Sequence, residues 1–495
     1  MSLLKKLAGE TAIYGMSSIL SRLISYVLLT PYLTRWFVPE AYGIITLLFF
    51  YSGLLTVIYT YRMETAFFRF GSKEGQMDRT FSTASIAILS TTIVLSVSLL
   101  VFSGPISEAL YLEDHREYVY WVVSIIAFDA LAAIPFARLR LENRPIRFAI
   151  AKTLGILIYV GMIFFFLKLC PYLIEQGHDW ASAIYQEEHR ISYVFISNLL
   201  GSGIVMLILS PVYFKIRAVF DRGLFKQMIY YAAPLIIVSL AAVINQNIAY
   251  KLLEIWLPGG LEANRAAAGV FSASAKIAVL MSLFTQAFNY AAEPFFFRHV
   301  ERSDSRHIYA QVGQAFAAVG SLAFLGIMLY LELIQFFIGK ELRTGLSIVP
   351  ILLMANLALG LYYNFAIWFK LKDQTKIGAY ISIGGMAITF VVNLLLIPSI
   401  GYAGPAWATL ACYVFMALAS YLSGRYYYPI PYPMGRIAAY VLSALLFYGI
   451  SVWIRPWLGD SLLLVLTINS LILLAYMLCF YWVERKSLLA MLGKN

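Results

Sequence analysis

Stretches of about twenty consecutive apolar residues recur along nearly the whole length of this sequence, separated by short polar connections. A helix rises about 1.5 Å per residue, so such a stretch matches the roughly 30 Å hydrocarbon core of a bilayer. Composition agrees. Of 495 residues, 61% are hydrophobic and only 13% charged, with a mean hydropathy of +0.77; soluble domains carry about twice that charged fraction. In lipid every backbone polar group must be satisfied inside the chain, so apolar runs become helices. The sequence predicts an all-α integral membrane protein of about 14 transmembrane helices, at roughly 11–34, 41–63, 81–103, 118–139, 148–168, 191–213, 228–251, 266–290, 308–330, 346–368, 377–398, 403–424, 436–455 and 461–483. The first stretch lacks a small-residue cleavage site after a short apolar core and reads as an uncleaved span.

Loop charges give an orientation. With the N-terminus inside, one set of loops holds most of the lysine and arginine, including Lys5, Lys6, Arg69, Arg138, Arg140, Arg298 and Arg302. The other set holds only Arg35, Arg116, Lys168, Arg190, Arg265, Lys340, Arg343 and Arg455. A bias of about threefold places both termini in the cytoplasm. The net charge of +11 is thus a topological signal, and no soluble basic domain exists to hold nucleic acid. No loop is long enough for a nucleotide-binding domain, and no phosphate-loop motif occurs. Cys170, Cys412 and Cys479 lie far apart, and the five histidines lack ligand spacing, so neither a metal nor another cofactor is expected.

A weak self-similarity recurs at an offset of roughly 226–230 residues, as between the halves of many transporters. Glu64-Thr-Ala-Phe-Phe-Arg69 matches Glu293-Pro-Phe-Phe-Phe-Arg298; Ala41-Tyr-Gly-Ile44 matches Ala268-Gly-Val-Phe271; Leu139-Arg-Leu-Glu-Asn143 matches Phe369-Lys-Leu-Lys-Asp373. An even number of spans separates the partners, so the repeat is parallel. It predicts two six-helix lobes, 1–218 and 222–427, around a central cavity, with an appended helix pair at 434–485. The charged stretch from Lys215 to Arg222 links the lobes.

Ionisable residues inside spans cost roughly 2.5–3.5 kcal/mol each, so they face protein or water. Arg22 lies midway along the first span on a stripe with Ser18 and Ser25, and Lys276 lies midway along the eighth with Ser272. Both are candidates to line the cavity, against the plainer reading of a buried hydrogen-bond network or a carboxylate pair. Lys251, on a stripe with Asn247 and Glu254, either lines the cavity or snorkels, and so does Arg62. Glu64 and Glu293 are expected to cap helix ends or close an inner gate by pairing with Arg69, Arg298 or neighbours. Lys152, one turn inside its span, is expected to snorkel. Asp129 is the candidate for a proton- or cation-responsive carboxylate; a hydrogen bond or a pair with Arg22 or Lys276 is the alternative. Arginine and lysine in the cavity favour an anionic cargo group such as a diphosphate.

The chain resembles a polysaccharide-biosynthesis (O-antigen type) oligosaccharide flippase of the multidrug/oligosaccharidyl-lipid/polysaccharide exporter superfamily. The resemblance spans essentially the whole chain and is carried by Leu20-Ser-Arg22, Phe37-Val-Pro-Glu-Ala-Tyr-Gly43, Ala268-Gly-Val-Phe-Ser-Ala-Ser-Ala-Lys276 and Ile397-Pro-Ser-Ile-Gly-Tyr-Ala-Gly-Pro-Ala-Trp-Ala-Thr409. It implies a polyprenyl-diphosphate-linked glycan carried across a bacterial inner membrane by alternating access, with membrane lipids and polysaccharide polymerase machinery as partners and no enzymatic step. Similarity to the related lipid II flippases matches Arg22 and Lys276 to inward-pointing basic residues, and Arg62 approximately to one more. Two rivals remain. A multidrug/cation antiporter of the same superfamily would want a cavity dominated by carboxylates. A membrane-bound glycosyltransferase or polymerase would want clustered acids on a long outer loop; Glu175, Asp179, Glu187 and Glu188 sit on a short one.

Overall fold

The computed structural model describes residues 23–24, 26–214, 216, 219–298, 304–372, 374–459 and 461–491. Every regular element among the described residues is helical. Thirteen helical segments are long and apolar enough to cross a bilayer: Pro39–Gly71, Met77–Val101, Glu117–Leu141, Pro145–Glu175, Glu187–Tyr213, Arg222–Trp256, Leu261–Asn289, Ser305–Leu329, Lys340–Phe369, Lys376–Ile400, Ala403–Tyr427, Met434–Trp457 and Leu462–Trp482. They correspond to the second through fourteenth expected spans. The first, with Arg22, lies largely outside the described residues. The chain is a multi-pass membrane protein.

Local chemistry sets the helix ends. Proline occupies the first turn at Pro39 and Pro145, where its missing N–H leaves no bond unmade. Glu117 opens its helix and Arg138 and Arg140 close it, matching the helix dipole at both ends. Left-handed Asn143 (φ 53°) and positive-φ glycines at 260 and 401 turn the chain between spans.

The chain divides into two compact units. One comprises 1–254 and 261–269, the other 255–260 and 270–495. In the first, the buried centre is built from Tyr59, Met63, Phe67, Phe81, Ile88, Tyr118, Ile126 and Phe195, all at 2% exposure or less. There the Pro145–Glu175 and Glu187–Tyr213 spans cross at Gly155 and Gly201. A side chain at Gly201 would stand 2.7 Å from the Gly155 carbonyl oxygen. Without a hydrophobic force between helices in lipid, such small-residue crossings let dispersion contacts hold spans together.

In the second unit Trp368 is fully buried. Its indole Nε1 donates to the Ser420 carbonyl at 3.2 Å, and its ring stacks on Tyr427 at 5.4 Å. Burial grades outward from this centre. Over half of the Ser305–Leu329 window is buried (56%), but only 17% of Met434–Trp457 and of Leu462–Trp482. The last two helices are therefore the lipid-facing rim of their unit. Their exposed apolar side chains, Leu446 and Leu463 among them, are what a bilayer solvates.

Candidate functional site: charged residues within the spans

Four groups of intramembrane charge were legible as candidates, and their surroundings differ. The first centres on Glu254, at the end of the Arg222–Trp256 helix. Its carboxylate, 2% exposed, holds two cations: Lys251 Nζ donates to one oxygen at 2.5 Å, and Arg265 Nε donates to the other at 3.0 Å. The Tyr51 hydroxyl oxygen also accepts a hydrogen bond from Lys251. Arg265 also donates to the carbonyls of Leu110 and Tyr111 at 2.7 and 3.2 Å, and Asn264 donates to the Glu254 carbonyl at 2.9 Å. Helix end, following helix and the 110–111 turn are thereby tied at one point. Asn247, expected on the same stripe, donates to the Val243 carbonyl of its own helix.

The second group sits on a break. The Pro39–Gly71 span is interrupted where Tyr61 and Arg62 take left-handed conformations, φ 32° and 56°. Non-helical backbone at membrane depth is tolerated where it is buried in protein or lines water. Arg62 donates to Glu64 at 3.2 Å, and both side chains are about a third exposed. The Arg62 Nε is buried with no partner among the described residues. Glu64 therefore pairs with a close neighbour and not with Arg69, whose guanidinium lies 4.3 Å from the Tyr231 ring.

The third group is Asp129, midway along Glu117–Leu141. Ser202 Oγ donates to it at 2.8 Å, and Lys152 is the cation acting on it. Lys152 Nζ also lies 4.5 Å from the Phe136 ring. Lys152 thus serves a carboxylate and a ring on the neighbouring helix. Both charged side chains are accessible, and charged groups within spans need each other or water.

The fourth is Lys276 in the Leu261–Asn289 span. It is half-buried, and Ser272 and Ser274 below it are buried. Among the described residues no carboxylate comes within 4.0 Å of its Nζ. Of the four candidate cations this one carries an unmatched charge, with Arg22 outside the described residues. Glu293 falls in the same continuous helix, Leu261–Arg298, but its side chain is outside the described residues.

Two buried arginines escaped the sequence reading. Arg265, an outer-loop charge by sequence, has a side chain only 7% exposed. Arg138, sorted with inner-loop charges, is 5% exposed, pairs with Asp78 and Glu142 at 2.7 Å each, and lies over the Phe81 ring at 4.4 Å. The i, i+4 spacing of Arg138 and Glu142 was the one available signal. Among the described residues no group of three or more His, Cys, Asp or Glu side chains could hold a metal.

No protein-family model matches the sequence, and no curated protein matches it. Solved structures do. The chain is similar to the lipid II flippase MurJ in an inward closed conformation, at 15% identity and a TM-score of 0.72, over 94% of this chain and 98% of that one. It is also similar to an inward-facing multidrug resistance MATE family transporter of the MOP superfamily, at 14% identity and a TM-score of 0.56, over 87% and 95% of the two chains. The Vibrio cholerae MATE transporter VcmN in its bent form matches at 14% identity and a TM-score of 0.54, over 90% and 98%. The fold is that of the MOP-superfamily transporters, and it extends over nearly the whole chain.

Proposed function

We propose that the chain is a flippase that moves a polyprenyl-diphosphate-linked oligosaccharide from the cytoplasmic to the outer leaflet by alternating access, in the synthesis of a cell-surface polysaccharide at a bacterial inner membrane. The observation that carries this reading is Lys276, a cation within an apolar span with no carboxylate against it among the described residues. An ammonium so placed is stable beside water or a mobile anion, and a diphosphate supplies two adjacent anionic groups. Arg62 is the second proposed contact. Its unpartnered Nε and its position at a backbone break give it donors to spare. Arg22 is the third, from its place in the sequence. Lys251, already held by Glu254, takes a smaller share.

No covalent chemistry is required; cations hold the headgroup while the polyprenyl chain stays in lipid. Asp129, with Lys152 and Ser202 as neighbours, is the proposed ion-responsive group, and Glu64 and Glu293 are the proposed gating carboxylates. The likeness to a lipid II flippase supports a lipid-linked cargo over the multidrug cargo of the MATE proteins, because its TM-score is the higher. The two six-helix lobes expected from the repeat remain part of this proposal. Deleting the gene in its host tests it: polyprenyl-linked glycan accumulates on the cytoplasmic side and is cleared by the wild-type chain. A deletion strain with no such accumulation contradicts the reading.

A further inference from the structure

At the end of the second unit opposite Arg306 and Lys372, the lipid-facing helix pair encloses a cavity of about 200 Å³ against the Ser305–Leu329 span. Its walls bring Glu332 and Arg455 together with Gln335, Tyr448, Leu346 and Val452. Glu332 and Arg455 form an ion pair across two helices through Arg455 Nε and one carboxylate oxygen, and both side chains are partly exposed, at 29% and 40%. A second guanidinium nitrogen goes to the Gly459 carbonyl at 2.7 Å. One guanidinium nitrogen and one carboxylate oxygen then remain without a protein partner among the described residues. Gln335 spends its amide N–H on the Glu332 carbonyl at 2.9 Å, which leaves its amide oxygen available.

The depth of this cavity is marked. Trp453 and Trp457, 64% and 68% exposed, meet edge to face at 4.4 Å on the same helix end. Exposed tryptophan pairs of this kind sit at headgroup level. The Ser451–Asn469 and Asn469–Leu329 hydrogen bonds, at 2.7 and 2.6 Å, close the floor.

We propose that this cavity binds the headgroup of a zwitterionic, primary-amine phospholipid, of the phosphatidylethanolamine class, at the interface of the leaflet it faces. The free Glu332 oxygen and the Gln335 amide oxygen accept from the ammonium. The free Arg455 nitrogen donates to the phosphate, a charge-assisted contact. An adjacent anion and cation match a zwitterion better than a singly charged headgroup, for which one of the two would repel. The acyl chains lie on the exposed apolar faces of the helix pair. None of the residues lining this site is a proposed cargo contact, and the inference does not depend on Lys276 or Arg62.

Native mass spectrometry of the purified full chain tests it, with equimolar phosphatidylethanolamine, phosphatidylglycerol and phosphatidylcholine of identical acyl chains. The wild-type chain retains phosphatidylethanolamine about threefold over each competitor. The Glu332→Gln/Arg455→Gln double variant loses that preference. Leu346→Trp, which fills the cavity and leaves the ion pair in place, loses it too, so a folding defect in the double variant does not decide the matter. Equal retention of the three lipids by the wild-type chain, or a preference unchanged in Leu346→Trp, overturns the proposal.

Discussion

Gly43 and Gly269 cross backbone against backbone: a methyl on Gly43 would stand 2.1 Å from the Arg265 carbonyl oxygen, and one on Gly269 would stand 2.1 Å from the Pro39 carbonyl oxygen. Each glycine lies in one of the two segments paired by the internal repeat, Ala41–Ile44 and Ala268–Phe271. Neither helix can carry a side chain here without moving its partner, so Gly43→Ala and Gly269→Ala are each expected to destabilise the protein by about 1–3 kcal/mol. The pair strain the same crossing, so the double variant costs less than the two effects added. Thermal unfolding in detergent measures both.

The two-cation arrangement on Glu254 predicts an asymmetry. Glu254→Gln strands Lys251 and Arg265 together, whereas Lys251→Met leaves the better buried Arg265 pair intact. Removing one partner of a buried pair costs about 3–5 kcal/mol. Glu254→Gln is expected to lower the unfolding temperature markedly more than Lys251→Met. Equal losses would mean that the Arg265 pair adds nothing beyond the Lys251 pair.

Asp129 and Lys152 should be energetically coupled. Asp129→Asn leaves the Lys152 cation without its carboxylate, and Lys152→Met leaves the reverse. The double variant restores neutrality, so a double-mutant cycle in detergent should return a favourable coupling of about 0.5 kcal/mol or more. Coupling near zero would detach Lys152 from the carboxylate.

Outside the spans, Asp221 accepts from the Leu224 backbone N–H at 3.0 Å and pairs with Arg79. The Leu224 N–H first, and the Arg79 guanidinium after it, hold its carboxyl below the usual carboxylate range. A lowered native value means the native state favours the ionised form. The stabilisation is therefore complete above the usual carboxylate value and is lost as the pH falls through the lowered one. The wild-type advantage over Asp221→Asn in thermal unfolding should be constant near neutrality and shrink only in acid. An advantage that grew on acidification would reverse the sign.

The spans were legible because bilayer thickness writes itself into the sequence as a length, and the thirteen described spans fall where apolar windows placed them. Pairing was less legible. The break at Tyr61–Arg62 carries no glycine or proline between Tyr59 and Glu64 to announce it. Arg265 looked like a loop charge because its partners are a carboxylate 11 residues away and carbonyls 154 and 155 residues away. Lys152 looked like a snorkelling end residue because Asp129 and Ser202 lie on other helices. Among the candidate cations in described spans, Lys276 is the one with no carboxylate within 4.0 Å among the described residues.

Lys276 accordingly bears the most direct test of the proposed function. In proteoliposomes, translocation of a polyprenyl-diphosphate-linked oligosaccharide headgroup is followed for the wild-type chain, Lys276→Ala and Lys276→Arg. Losing one charge-assisted phosphate contact, about 1.5–3 kcal/mol, predicts a rate at least tenfold lower for Lys276→Ala, with substantial recovery in Lys276→Arg. Translocation by Lys276→Ala at the wild-type rate would contradict the account.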